Sequence, residues 1–205
     1  TTVFSRLSAD PMFFMAHGLV TLWEAISGFI LGASIALLAA LIMVRYRFLE
    51  RVLLPVAVAI KVTPIVAVAP LFVIWFGFGM VPKVLIVGLI TFFPVLVNAI
   101  AGLKSVNPNA LDLFRSVNAS NKEIFIKLRI PNALPYLFAA FRISLPLSVI
   151  GAVIGEWFSG DKGLGSVIMI AHSNLNTPTL FGAIIILCVT GIILTVILYY
   201  LENKF

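Results

Sequence analysis

Apolar residues along this chain gather into runs of about 20 residues or more, and polar residues fill the intervals between them. A crossing of the bilayer core takes about 20 mostly apolar residues. The runs predict five such spans, at about 19–44, 53–79, 84–103, 132–155 and 179–201. They lack the residue-by-residue alternation of an outer-membrane strand, so a β-barrel is excluded and an all-α membrane protein is predicted. Three longer segments remain, 1–18, 104–131 and 156–178, beside the short connections. The first carries Phe4, Met12, Phe13, Phe14 and Met15 among polar residues. It is too short to span and is expected along the outer interface. No repeat and no low-complexity linker divides the chain, so 1–205 reads as one transmembrane domain.

Proline interrupts the second span at Pro55, Pro64 and Pro70. Each removes a backbone donor and clashes with the preceding turn, which predicts breaks near Thr63-Pro64 and Ala69-Pro70. In lipid, freed backbone groups must be covered by protein or line a wet cavity. The segment is therefore a broken helix on a translocation pathway or a kinked helix packed in the bundle. Pro94 and Pro146 predict simple kinks. Trp75, Phe76 and Phe78 at the end of the run suit an interfacial belt or stacking on an aromatic solute.

Composition agrees with the pattern: 61% of residues are hydrophobic, 11% are charged, and the mean hydropathy is +1.15. A soluble domain has about a quarter charged residues. The chain has room for about six spans and none for a soluble catalytic domain. The net charge of +6 has no soluble basic face to occupy, which excludes nucleic acid as a partner. Its distribution sets the orientation. Arg45, Arg47 and Arg51, then Lys104, Arg115, Lys122, Lys127 and Arg129, and finally Lys204 flank one side; Arg6, Lys83 and Lys162 flank the other. Nine against three places the 104–131 loop and the C-terminus in the cytoplasm and 156–178 outside. Cys188, the single cysteine, reads as a small apolar residue inside a span. No signal peptide is visible, and the opening Thr1-Thr2 without methionine suggests that the natural N-terminus is missing.

The polar 104–131 segment carries strong local signals. Asn107-Pro108 is a capping residue followed by proline at the first helical position. Leu111, Phe114 and Val117 then recur at spacing three, giving a short amphipathic helix. Asn118-Ala119 ends it, because asparagine tolerates the left-handed conformation that reverses a helix end. Ser120 and Glu123 form a capping box that restarts a helix with Ile124, Phe125 and Leu128 on its apolar face, until Pro131 stops it. A helix, a tight turn and a second helix are predicted outside the membrane.

Four charges fall within or at the ends of spans: Glu24, Lys61, Arg142 and Glu156. An unpaired charge there costs roughly 2.5–3.5 kcal/mol on insertion scales. Glu24 and Lys61 suit interhelical pairs or snorkelling to a headgroup. Arg142 lies eleven residues past Pro131, about 16 Å along a helix and so near mid-membrane, where it is expected to pair with an acid or with freed carbonyls. Glu156, next to Trp157, suits an outer gate or re-entrant loop, or an interface anchor. His17 and His172 lack partners at metal spacing, so no metal site is expected. Ser159 with His172 would be the one nucleophile and base for an intramembrane hydrolase, but no nucleophile elbow surrounds Ser159.

These residues carry a resemblance. Asp112-Leu113-Phe114, Asn118 six residues after Asp112, and Leu128-Arg129-Ile130-Pro131 fit the spacing of the EAA loop of ABC importer permeases, with Asp for Glu, Leu-Phe for Ala-Ala and Asn for Gly. Elsewhere Thr21-Leu22-Trp23 with Gly28, Lys61-Val62-Thr63-Pro64, Pro70-Leu71, Trp75-Phe76-Gly77-Phe78-Gly79, Phe93-Pro94, Leu134-Pro135, Arg142-Ile143, Gly155-Glu156-Trp157 and Gly163-Leu164-Gly165 look like permeases of nitrate, sulfonate, taurine, thiamine-precursor and riboflavin importers. Such permeases usually have six spans, so the resemblance implies that a first helix is missing here.

The resemblance implies a type I importer permease. A second permease copy, as a homodimer, would complete the pathway; two ATP-binding subunits would sit under the cytoplasmic loops; an external solute-binding protein would deliver the solute. ATP and magnesium would belong to the partner, since the chain has no phosphate loop. The coupling residues would be Asp112, Leu113, Phe114, Val117, Asn118, Ala119, Ser120, Glu123, Leu128, Ile130 and Pro131, and the pathway or gate Thr63, Pro64, Pro70, Trp75, Arg142, Glu156 and Trp157. Gly155-Glu156-Trp157 and Lys61-Val62-Thr63-Pro64 look most like permeases for the thiamine pyrimidine precursor or riboflavin. A bacterial cytoplasmic membrane is implied. An ATP-independent secondary transporter and an intramembrane hydrolase are the alternatives.

Overall fold

A computed structural model describes residues 2–160 and 162–203, all of them in helices or the turns that join them; Lys204 lies outside the described residues. After a short helix α1 (Thr2–Ala9), Asp10 accepts a hydrogen bond from the Phe13 N–H at 3.1 Å, Pro11 takes the first helical position, and α2 runs unbroken over Pro11–Arg45. Residues 11–18, expected in a segment separate from the first span, are instead the first two turns of this same helix. The start signal is the pair Asp10-Pro11, which a count of apolar residues passes over.

The second predicted span is two helices, α3 (Arg47–Val62) and α4 (Ile65–Phe76), bent by 98° at Thr63-Pro64. The break expected at Ala69-Pro70 is absent, and Pro70 lies inside α4. Little more than one turn of helix precedes it, and that turn is already free of α3, so a small tilt relieves the clash of the proline ring. Helix α5 (Met80–Lys104) follows, then the excursion described below, then α8 (Ile130–Ser159), α9 (Leu164–Ser173) and α10 (Thr177–Glu202). The 156–178 segment is therefore not all loop, because α9 occupies its middle. Among the described residues, four helices are long and apolar enough to cross a membrane, and the bent α3–α4 pair, counted as one span, makes five.

Helix α5 is the centre of the bundle, packed along α2 on one side and antiparallel along α8 on the other. Small residues make both seams close. A Cβ added to Gly28 would lie 2.3 Å from the Cβ of Val87, and one on Gly32 would lie 2.4 Å from the Gly88 carbonyl oxygen. Ala25, Ala33, Ala36 and Ala40 continue the buried stripe of α2. Lipid offers no hydrophobic drive between helices, so close van der Waals contact along such a stripe supplies the association energy. Gly32→Val forces the two backbones apart and is expected to cost about 3 kcal/mol. The apparent unfolding midpoint in detergent then falls by about 6–12 °C. Gly191, on α10, has no atom within 4 Å of an added Cβ, and Gly191→Ala should leave the midpoint unchanged or raise it.

On the α8 side, Gly102 meets Ala133 and Tyr136, Gly151 meets Val87, and Gly155 meets Lys83. This register fixes two ends of the molecule. One carries Lys104 and Arg129; the other carries Lys83 and Glu156.

Candidate functional site

At the Lys104 end, the chain leaves the bundle as predicted. The Asn107 side chain accepts from the Asn109 N–H at 2.9 Å and starts α6 (Pro108–Ser116). Asn118 adopts φ 54°, the Ala119 N–H reaches the Phe114 carbonyl at 3.0 Å, and the Asn118 N–H reaches that of Arg115 at 3.0 Å. This is a Schellman reversal. Ser120 and Glu123 then complete a capping box at the start of α7 (Asn121–Ile124). The Ser120 N–H, with Lys127 next, holds the Glu123 carboxyl well below the usual carboxylate range, so the box stays charged at any physiological pH. No residue of α6 is buried: Leu113 is 64% and Val117 69% exposed, Asp112 pairs only with Arg115 at 3.5 Å, and Phe114 is half-buried.

Pro131 does not stop the second helix. Residues Phe125–Arg129, with Leu128 among them, form a π-turn in which the Ile130 N–H reaches the Phe125 carbonyl, and α8 follows without a gap. The wider turn shifts the ladder by one residue just ahead of the proline, which then sits at the start of α8. The result is a rigid arm: α6 is clamped by two cap motifs to a helix that continues to the far end of the molecule.

The other sequence-predicted residues fall at separate places. Thr63 and Pro64 line a cavity of about 410 Å³ with Lys61, Phe93, Leu147 and Ile150. The Thr63 hydroxyl donates to the Ala59 carbonyl at 3.0 Å, and the Lys61 ammonium lies 4.8 Å from the centre of the Phe93 ring. Trp75 is exposed on α4 against Phe72, and Trp157 lines a second cavity of about 500 Å³ with Phe78 and Gly160. Arg142 pairs with Glu202 in the last turn of α10. Glu202 is an acidic partner of the kind expected for Arg142, and both side chains keep partial exposure.

Glu156 faces none of these cavities. It is 1% exposed; one carboxylate oxygen accepts from the Thr21 hydroxyl at 2.6 Å, and the other from the Gly165 N–H at 2.5 Å. The Thr21 oxygen also accepts from the Leu164 N–H at 2.8 Å, and His17 Nδ1 from that of Gly163 at 3.0 Å. The N-terminus of α9 is thus capped by α2 and α8 together. Gly163, at φ 108°, leaves no room for a Cβ, which would lie 2.1 Å from the Glu156 carboxyl. Beside Glu156 stands Glu24, whose carboxylate meets the Lys83 ammonium at 2.7 Å with both side chains 4% exposed. Lys83, assigned from sequence to an outer loop, is inside α5 and is the partner of Glu24. The Ser159 hydroxyl donates to the Gly155 carbonyl at 2.8 Å, and among the described residues no group of three or more His, Cys, Asp or Glu could hold a metal.

A bundle with a capped arm at one end and a broken helix beside a cavity matches known proteins over most of its length. Residues 28–205 fit the model of the binding-protein-dependent transport system inner membrane component family. The chain belongs to this family. It is 35% identical to the formylaminopyrimidine transport permease of Halalkalibacterium halodurans over 98% of this chain and 80% of that protein. It is 38% identical to the riboflavin transport system permease of Chloroflexus aurantiacus, over 91% and 70% respectively. The inward-facing MetNI methionine ABC transporter has the same fold, with TM-score 0.79 and 15% identity over 96% of this chain and 97% of that one. An amino acid ABC transporter gives TM-score 0.73 at 22% identity, with 98% of each chain covered. The protein is therefore a multi-pass inner-membrane permease subunit of an ABC importer, a transport subunit rather than an enzyme. Its family works in general with an ATP-binding subunit and a substrate-binding protein.

Proposed function

We propose that this permease carries a small heteroaromatic solute, the thiamine pyrimidine precursor or riboflavin, through a pathway at the α3–α4 break. Sulfonate, taurine or nitrate is the second choice. The Lys104 end faces the cytoplasm, together with the C-terminus, because the basic residues gather there. Two copies of the permease enclose the path, and the α6 arm of each docks on one of two ATP-binding subunits that hold ATP and magnesium. The observation that carries the coupling role is the exposed apolar face of α6, at Leu113 and Val117, on an arm continuous with α8. Closure of the ATP-binding subunits then moves the arm and α8 as one lever.

The pathway reading rests on the cavity at Thr63-Pro64, where Lys61 and Phe93 supply a cation and an aromatic face beside apolar walls. The test is ATP-dependent uptake by the full importer in vesicles with its binding protein, using formylaminopyrimidine, riboflavin and taurine as labelled solutes. Uptake of a heteroaromatic that needs ATP supports the reading, and uptake without ATP overturns it. Pro64→Ala removes a bar of about 3 kcal/mol to a continuous helix and is expected to cut uptake roughly tenfold, with the ATP-binding subunits still attached. Undiminished uptake would remove the break from the pathway.

A further inference from the structure

At the Lys104 end, Arg47 and Arg51 on α3, Lys104 at the end of α5 and Arg129 in the π-turn line one cavity of about 630 Å³. Among the described residues Glu50 is the only acid in its lining and is held by Lys104 at 2.5 Å, so four cations less one carboxylate give these residues a net charge of +3 around the hollow. Arg47 and Arg51 are one turn apart on the same helix, a spacing at which like charges repel. Arg129 uses one guanidinium nitrogen on the Leu103 carbonyl at 3.3 Å, which leaves its other N–H donors free for the cavity. The orientation rule explains why basic residues lie at this end, but not why four of them converge on one hollow. The remaining wall, formed by Val44, Leu54 and Pro55, is apolar.

We propose that this cavity binds a phosphate group. Arginine forks match two phosphate oxygens at once, and the neighbouring lysine adds a point charge. The source is the headgroup of an anionic phospholipid, whose acyl chain would follow the apolar wall, or a free phosphate, which offers the same oxygens. The inference rests on the membrane setting of the chain and not on its solute or on the role of α6.

The test uses the assembled importer purified from its membrane. Native mass spectrometry measures retained phosphatidylglycerol against phosphatidylcholine for the wild type and for Arg47→Gln with Arg51→Gln, two exposed side chains. Removing two basic contacts is expected to weaken phosphatidylglycerol retention roughly thirty-fold and to leave phosphatidylcholine unchanged. Lys122→Gln with Lys127→Gln removes the same charge outside this cavity and is expected to retain the lipid. A second arm measures binding of inorganic phosphate by phosphorus NMR. Phosphate binding that the arginine pair abolishes, with no lipid preference, supports the site and assigns it the free anion. Equal loss in both double variants, or no dependence on Arg47 and Arg51 in either arm, overturns it.

Discussion

Lys83→Met is expected to destabilise the permease by about 3–5 kcal/mol, the range for removing one partner of a buried ion pair. The ammonium meets Glu24 at 2.7 Å where neither side chain is more than 4% exposed, and Glu156 stands beside Glu24. Without the cation, two acids face each other inside the bundle, and the hydrogen bonds from Thr21 and Gly165 that tie α9 to α2 and α8 must reorganise. For a chain of this size the apparent unfolding midpoint falls by about 6–20 °C. The double variant Glu24→Gln with Lys83→Met tests the cause, because it removes the orphaned charge along with its partner. It should recover more than half of the loss, a coupling of roughly 2 kcal/mol or more in the double-mutant cycle. A midpoint for Lys83→Met within about 2 °C of the wild type would show that the pair does not hold the joint.

What could be read from sequence divides by the distance over which the signal acts. Asn107-Pro108, Asn118 and the Ser120–Glu123 box are local chemistry, each acting within about one helical turn, and each stands where the sequence places it. The 98° bend at Thr63-Pro64 is equally local. Proline alone is a weaker guide than its neighbourhood. Pro64 breaks a helix while Pro70 does not, and Pro131 is absorbed by a π-turn that no residue between 125 and 129 announces. Lys83 reads as a loop charge because it follows Pro82 at the edge of an apolar run; its partner Glu24 is 59 residues away, and only the α2–α5 packing brings them together. The Glu156 joint was half legible: Gly163-Leu164-Gly165 and Glu156 stand out in the chain, but not that the first caps itself with the second. Arg142 shows the same limit, since helix length gives a depth but not the reach of α10, which brings Glu202 to it.

Placing aspartate at both Leu113 and Val117 is expected to separate transport from folding. Neither side chain is buried, α6 buries no residue at all, and Val117, its C-cap, contributes only its backbone to the cap, so the unfolding midpoint should hold within about 2 °C. The same two positions form the apolar face proposed to enter a groove of the ATP-binding subunit. Loss of an anchor in such a groove costs about 2 kcal/mol or more, and a desolvated carboxylate adds to it, so the pair should weaken association roughly a thousandfold. Co-purification of the ATP-binding subunit with the variant and ATP-dependent uptake in vesicles then fall together. Asn118→Val gives an independent check on the arm. A β-branched residue is strained at φ 54°, so the reversal opens and the face is misplaced with its chemistry intact. Transport should fall while detergent stability changes little. If the double aspartate variant still binds its ATP-binding subunit and transports at the wild-type rate, coupling does not pass through α6. The lever would then have to begin elsewhere at the Lys104 end.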